Sequence, residues 1–409
     1  MIDRFLSAAV IASLSDSPTV FLQGARQSGK STLVQALGEL GHQARYVTLD
    51  DAAVRGAATA DPQAFVAGLD TPVIIDEVQR APELPLAIKR SVDKDRTAGR
   101  FLLTGSANAM VVPTLSESLA GRMELHTLWP FSQGEMAQRK GDFIDAVFKA
   151  KYKPAETTPA AWPELVGLVI RGGYPEAVER KRADRRDAWF SSYITAILQR
   201  DVRDLANIEG LTEMPRLLRL LASRVGSLVN FADLSRSLAM PQSTLKRYLS
   251  LLQATFLVQE LPAWSANIGK RLVKSPKVFL NDTGLVSSLL GLDASRLARD
   301  MSLAGHLLEN FVVMELLKQI GWSKRRPAIM HFRTSAGQEV DVVMEDRSGE
   351  IVGIEIKAAE TIKNADFNGL RTLATLAGDR FARGVLLYCG EETISFDTNL
   401  VAVNVMKAL

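Results

Sequence analysis

Apolar residues crowd into short unbroken runs in the first third of this chain and settle into alternation near its end. TVFL (19–22), PVII (72–75) and FLL (101–103) are continuous apolar stretches of strand length, a pattern that predicts buried strands. Each closes on small or charged residues: GARQSGKS at 24–31 after Gln23, DEVQ at 76–79, and TGSAN at 104–108. The first is followed by TLVQALGEL, whose spacing predicts a helix, so the order is strand, glycine loop, helix. ESLAGR, ending at Gly121 and Arg122, predicts a further helix end ahead of the apolar segment MELHTLWPF.

Proline, lysine and threonine in KAKYKPAETTPAAWPE (149–164) mark a boundary or exposed loop. Small helices follow through IRGGYPEAVERKRADRR (170–186), and residues 187–206 carry apolar positions at helical spacing. Residues 231–264 predict a helix, a tight turn at Met240 and Pro241, a second helix and a strand. With the later strand KVFLND (277–282) this is a winged-helix outline. The last segment opens on the helix GHLLENFVVMELLKQI (305–320), with Leu307, Leu308, Phe311, Val312 and Leu316 on one face and Glu309 at its border. Three strands then follow: HFRT, EVDVVME and IVGIEIKA. Strand residues two apart share a side, so Glu355 and Lys357 point together, and Asp341 on the preceding strand brings a second carboxylate to them.

Length and composition fit several soluble domains, since 409 residues exceed one ordinary core and 47% are hydrophobic against 23% charged. The amino terminus lacks a basic start with an uninterrupted apolar core, and no stretch of eighteen or so apolar residues occurs; a cytoplasmic protein without membrane contact is expected. One cysteine, Cys389, and four histidines without ligand spacing give no expectation of zinc. A net charge of +3 is mild, so where the charge lies matters more than its sum. Basic residues gather at 181–186, at Lys246 and Arg247, at Lys270, Arg271, Lys274 and Lys277, and at 323–326; the ordinary reading of each group is a solvated face.

The glycine loop carries the most specific chemistry. Gly24 and Gly29 free the backbone of Ala25, Arg26, Gln27 and Ser28 to aim N–H groups at the phosphates of ATP, Lys30 adds a point charge, and Ser31, followed by Thr32, offers a hydroxyl to Mg2+. Asp76 is expected to hold that ion through water, and Glu77 to orient and deprotonate the attacking water. Ser106 or Asn108 is expected at the γ-phosphate, Arg122 as an arginine acting on a neighbouring subunit's nucleotide, and Arg171 as a nucleotide contact from a lid. Arg122 reads equally well as a basic residue complementing a helix carboxyl end. Glu309, Asp341, Glu355 and Lys357 form a candidate site for a divalent metal and phosphodiester hydrolysis, or a scaffold whose carboxylates bind nothing. Lys246, Arg247, Lys270, Arg271 and Lys274 fall where helix-turn-helix folds meet DNA phosphates.

GARQSGKSTL, LDD (49–51), IIDEVQRAPEL, RFLLTGSAN, LAGR, WPFSQGE, GGYPEAV, FLNDTGL, EVDVV and IEIKA together resemble prokaryotic AAA-type P-loop ATPases with a carboxy-terminal restriction-endonuclease-like domain of unknown function. The resemblance covers most of the chain. It implies an α/β fold in four parts: an AAA+ P-loop core (1–148), a helical lid (149–215), a winged-helix domain (216–290) and a restriction-endonuclease-like domain (291–409). It implies nucleotide roles for Lys30, Ser31, Asp76 and Glu77, and a nucleic-acid connection. The expected function is an ATP-driven DNA-processing machine, a ring homo-oligomer such as a hexamer. The alternative is a nucleotide-dependent switch or scaffold that binds a protein partner.

Overall fold

The computed structural model describes residues 2–108, 119–155, 162–202, 211–271 and 274–409. The chain divides into two compact units.

The first unit comprises residues 1–131, 200–207 and 248–257. Its sheet holds β1 (Thr19–Gln23), β2 (Arg45–Thr48), β3 (Val73–Asp76), β4 (Phe101–Gly105) and β5 (Met123–Thr127), in the order β2-β3-β4-β1-β5. Every pairing is parallel. A sheet buried on both faces needs apolar residues at consecutive positions, which is why these strands read as unbroken runs. Val20, Leu22, Ile74 and Leu102 face a core with Leu6, Val10, Leu33 and Val34. Phe21, Ile75, Phe101 and Leu103 face the opposite core with Leu84, Ile88 and Val92.

The strand order has a direct consequence for the site. β4 lies between β1 and β3 although it comes last of the three, so TGSAN is set between GARQSGKS and DEVQ. Gln23 is level with Gly105, and Thr48 with Asp76, so the segments after β1, β3 and β4 leave the same edge of the sheet. Crevices at the carboxyl edge of open parallel sheets are where such folds bind ligands. Of ESLAGR, where a helix end is expected, residues 117 and 118 lie outside the described residues and 119–122 are described.

The second unit comprises residues 132–199, 208–247 and 258–409. Its main sheet runs β12-β13-β11-β10-β9-β8, with β8 (Ala328–Arg333), β9 (Glu339–Glu345), β10 (Ile351–Lys357), β11 (Phe381–Tyr388), β12 (Ile394–Asp397) and β13 (Leu400–Asn404). β8, β9 and β10 are antiparallel neighbours, whereas β11 runs parallel to both β10 and β13. Leu370 and Leu373 of the Asn368–Ala377 helix pack on Val340, Val343 and Leu386 of this sheet.

The expected helix at 305–320 begins earlier, at Met301, and is buried around most of its circumference rather than along one face. Its polar residues are therefore spent on specific bonds: Glu315 accepts from the Gln133 N–H (2.9 Å) and from Lys318 Nζ (2.7 Å). The middle segment contains the helices Phe231–Leu238 and Gln242–Ala254, then β6 (Val258–Leu261) and β7 (Lys277–Leu280) paired antiparallel. Between these strands stands a short helix, Ile268–Arg271. The boundary expected at 149–164 is described except for 156–161, and of the helix expected at 187–206 the described part is Ala183–Ala196 with a π-turn over Ile197–Asp201.

Candidate nucleotide site and a lysine-filled carboxylate cluster

The glycine loop turns because three of its residues take positive φ: Gly24 (155°), Gln27 (58°) and Gly29 (95°). Gly24 has no alternative, since a Cβ there would lie 2.1 Å from the Leu128 carbonyl oxygen beside β1. Lys30 opens the Lys30–Ala36 helix, and its buried Nζ donates to the carbonyls of Gly24 (2.9 Å) and Ala25 (3.1 Å). The positive charge is thereby fixed inside the loop that is to receive phosphate. A Cβ on Gly29 would meet nothing within 4 Å, so the loop stays open on that side, and Thr32 is exposed.

Asp76, the last residue of β3, is where the loop and the sheet meet. Its Oδ2 accepts from Ser31 Oγ (2.9 Å) and from the Tyr46 phenol (2.6 Å), and its Oδ1 accepts from Thr104 Oγ1. A hydroxyl and a carboxylate this close are hard oxygen donors of the kind Mg2+ takes, so the residues fit the ion that ATP brings. Burial, then the bond to Asp76, pushes the Tyr46 pKa up to about 12, so Tyr46 remains a donor at any physiological pH. Neither Tyr46 nor Thr104 stands out in the sequence; the only signal for Thr104 is that it shares a strand side with Ser106. Removing the phenol donor with Tyr46→Phe is expected to raise the Mg2+ concentration giving half-maximal ATP turnover by about tenfold, as loss of an outer-shell partner does elsewhere. A magnesium titration of turnover checks this; an unchanged midpoint would show that Ser31 and Thr104 suffice.

Glu77 follows with φ 59° and ψ 46°, a left-handed conformation uncommon outside glycine and often found at functional sites. Its N–H donates to Thr104 Oγ1 at 3.1 Å. Its Oε2 accepts from Ser106 Oγ at 3.1 Å and from Gln79 Nε2, while Gln79 Nε2 also donates to Ser106 Oγ at 2.9 Å. Glu77, Ser106 and Gln79 thus form a closed triangle over β4, and Gln79 carries no signal of this in the sequence. Asn108 is anchored through its main-chain N–H to the Ala254 carbonyl at 2.8 Å. Arg122 donates from Nε to Asp93 at 2.6 Å, and this bond draws the Asp93 carboxyl below its ordinary value. Arg171 ends the Trp162–Arg171 helix in the second unit, where its half-buried guanidinium rests 3.9 Å from the Met136 sulfur.

The second expected site gathers its residues and adds one. Glu309, Asp341 and Glu355 come together from the Met301–Ile320 helix, β9 and β10. The β9/β10 register pairs Ile354 with Val342 and so places Glu355 beside Asp341 one step on. Lys357 Nζ donates to Glu355 Oε1 at 2.7 Å, and Asp341 Oδ2 accepts from the Ile356 N–H at 2.9 Å. The space among the carboxylates is occupied by the ammonium of Lys277 from β7. It lies 2.7 Å from Glu309 Oε1, 2.8 Å from Glu339 Oε1 and 3.2 Å from Asp341 Oδ1, and its side chain is 1% exposed. This corrects the reading of Lys277 as part of a solvated basic face. Burial alone would lower its pKa, but Asp341, Glu309 and Glu339 outweigh it and hold the pKa above its ordinary value. Among the described residues, no group of three or more His, Cys, Asp and Glu side chains is arranged to hold a metal ion.

Burial, reinforced by Asp341, raises the Glu355 pKa from 4.5 to about 8 against the pull of Lys357 and Lys277. The folded chain therefore keeps a proton that the unfolded chain gives up, so this carboxyl makes stability fall as pH rises from about 4.5 toward 8. Glu355→Gln, which keeps the neutral shape, is expected to flatten that part of the profile of melting temperature against pH. An equally steep fall in the variant would place the proton elsewhere.

The expected DNA-facing residues separate in the structure. Lys246 and Arg247 are exposed on the Gln242–Ala254 helix, with Lys246 Nζ 5.4 Å from the Phe231 ring centroid. Lys274 is exposed and donates to the Arg333 carbonyl at 3.4 Å. Arg271 is turned inward, bonded to the Ser265 carbonyl (2.7 Å) and paired with Glu345 (2.8 Å). The Lys270 side chain lies outside the described residues.

Phosphate loop, Ser31–Asp76 pair and interposed β4 make the first unit the nucleotide-binding domain of a P-loop ATPase of the AAA type. Comparison with known proteins agrees: residues 16–137 match the model of an AAA domain family, while 163–296 and 304–408 match two domains of unknown function, DUF8612 and DUF4143. The uncharacterized protein Rv2008c of Mycobacterium tuberculosis is 32% identical over 403 residues, which is 98% of this chain and 83% of that one. The chain belongs to the same family as this mycobacterial protein. An uncharacterized protein of Haemophilus influenzae is 25% identical over 257 residues, covering 60% of this chain and 57% of its own length. Among solved structures, a Walker-type ATPase of Pyrococcus abyssi aligns with 71% of this chain and 96% of its own, at 15% identity and a TM-score of 0.46. No described helix is long and apolar enough to cross a membrane.

Proposed function

We propose that this chain hydrolyses Mg-ATP at the phosphate loop and that its nucleotide state governs contact with DNA through the exposed face bearing Lys246 and Arg247. The observation that carries the first half is Asp76, whose two oxygens take Ser31, Tyr46 and Thr104 at once. Bound Mg2+ neutralises charge on the transferred phosphoryl group. Lys30 exchanges its two loop carbonyls for phosphate oxygens, and Ser31 and Asp76 hold the ion. Glu77 accepts a proton from water as the water oxygen bonds to the γ-phosphorus and the bond to ADP breaks. Ser106, already on the Glu77 carboxylate, keeps that base directed toward the attacking water.

DNA as partner follows from a basic pair on a helix of a helix-turn-helix outline, the arrangement that meets phosphates in such folds. The inward turn of Arg271 favours the second reading, a nucleotide-dependent switch for a protein partner, because it removes one cation from the DNA-facing set. Turnover measured at low salt with duplex, single-stranded and branched DNA separates them. Stimulation that Lys246→Glu/Arg247→Glu abolishes supports DNA; slow turnover indifferent to all three supports the switch. Action as a ring, with Arg122 leaving Asp93 for a neighbour's nucleotide, is tested by mixing Arg122→Ala and Glu77→Gln subunits. Recovery of turnover supports it, and an Arg122→Ala protein with normal turnover removes it. Phosphodiester cleavage is left out, since Lys277 already engages Glu309 and Asp341, two of the carboxylates expected to hold the metal.

A further inference from the structure

Lys277 is the first residue of β7, and the strand is held at both ends. At one end its ammonium, with three N–H donors, meets the three carboxylates of Glu309, Glu339 and Asp341. At the other, the Asn310 side chain accepts from the Leu280 N–H and donates to the Leu280 carbonyl, both at 2.9 Å, closing the strand onto the Met301–Ile320 helix. Residues 226–229 lie along β7, with the Gly226 N–H on the Val278 carbonyl (2.8 Å) and the Val278 N–H on the Ser227 carbonyl (3.1 Å). Gly226, at φ 75°, comes so close to Glu309 that a Cβ would lie 2.6 Å from Oε2. The middle segment therefore caps the carboxylates. Glu355, 8% exposed, is left with a buried Oε2 that has no hydrogen-bond partner. Four acidic side chains thus share two ammonium groups, Lys277 and Lys357, in an oxygen-rich set.

We propose that Lys277 is the resident cation of this cluster, filling the place a divalent metal would take and so clamping the middle segment to the carboxy-terminal sheet. The inference is independent of the ATP site. It makes the cluster a lysine-locked site: metal is excluded while β7 is seated, and the oxygens of Glu309, Glu339 and Asp341, which the ammonium holds, become available to a hard cation only when the ammonium is gone.

Mn2+ uptake by the full chain, free of nucleotide, tests this by paramagnetic resonance of the unbound ion. Wild type and Asp341→Asn are expected to take up the same amount. Lys277→Ala is expected to take up one further Mn2+ per chain, and adding Asp341→Asn to weaken that uptake by about tenfold or more. Lys277→Arg, which keeps a cation in place, is expected to gain none. An Asp341-dependent Mn2+ site in the wild type would overturn the proposal, as would a folded Lys277→Ala that gains no ion. Should Lys277→Ala fail to fold, wild type against Asp341→Asn still decides: equal uptake supports the lock and unequal uptake refutes it.

Discussion

Glu77→Gln will bind ATP with magnesium and fail to turn it over, the hydrolysis rate falling roughly 100-fold or more, the usual effect of losing a positioned general base. The amide keeps the size of the side chain and accepts from Ser106 and Gln79 through its oxygen, so the triangle over β4 persists. What it loses is the ability to take the proton of the attacking water. Binding resides on other residues, with Lys30 in the loop and Ser31 on Asp76, and these are untouched. Nucleotide affinity should therefore stay within a few-fold of wild type while single-turnover hydrolysis collapses, as for an interaction made only in the transition state. Retained turnover in Glu77→Gln would give the base role to another residue, whereas loss of affinity would make Glu77 a structural element of the loop.

Lys277→Met should be the most destabilising single substitution in the second unit. The methionine fills the volume of the stem but leaves Glu309, Glu339 and Asp341 without their shared ammonium at a place where the lysine side chain is 1% exposed. Removing one partner of a buried ion pair typically costs about 3–5 kcal/mol. For a unit of this size, each kcal/mol lowers the melting temperature by roughly 2–4 °C, so a fall on the order of 10 °C is expected in calorimetry of the full chain. The deficit should shrink as pH falls, because unpaired buried carboxylates take up protons and their repulsion disappears. A variant that melts within a degree or two of wild type at pH 7 would mean that the cluster is already largely protonated and that Lys277 contributes little.

The two sites differ in how much of them can be read from the sequence. GARQSGKS and DEVQ are local signals: the loop's chemistry is fixed by residues a few positions apart, and strand order supplies the rest. The partners Tyr46, Thr104 and Gln79 are invisible at that level, because Tyr46 reaches Asp76 from the adjacent strand and its neighbours read only as ordinary β residues. In the second unit, the two-residue period sets Glu355 and Lys357 on one side of β10, and the neighbouring strand brings Asp341 to them. It cannot show that the space among the acids is filled. Lys277 sits in a run of basic residues whose ordinary fate is solvent, and its burial depends on β7 meeting a helix and a strand that come 32 and 64 residues later. The same tertiary contacts bury the Met301–Ile320 helix on nearly every side, where the sequence pattern marked only one apolar face.

Steady-state release of phosphate from Mg-ATP by the purified full chain, run beside Lys30→Ala, tests the phosphate loop as a site of hydrolysis most directly. Turnover in the wild type that requires magnesium and drops roughly 100-fold or more in the variant is the expected result, since Lys30 supplies the charge that meets the transferred phosphoryl group. Equal release from both proteins, or none from a wild type that demonstrably binds Mg-ATP, would contradict it.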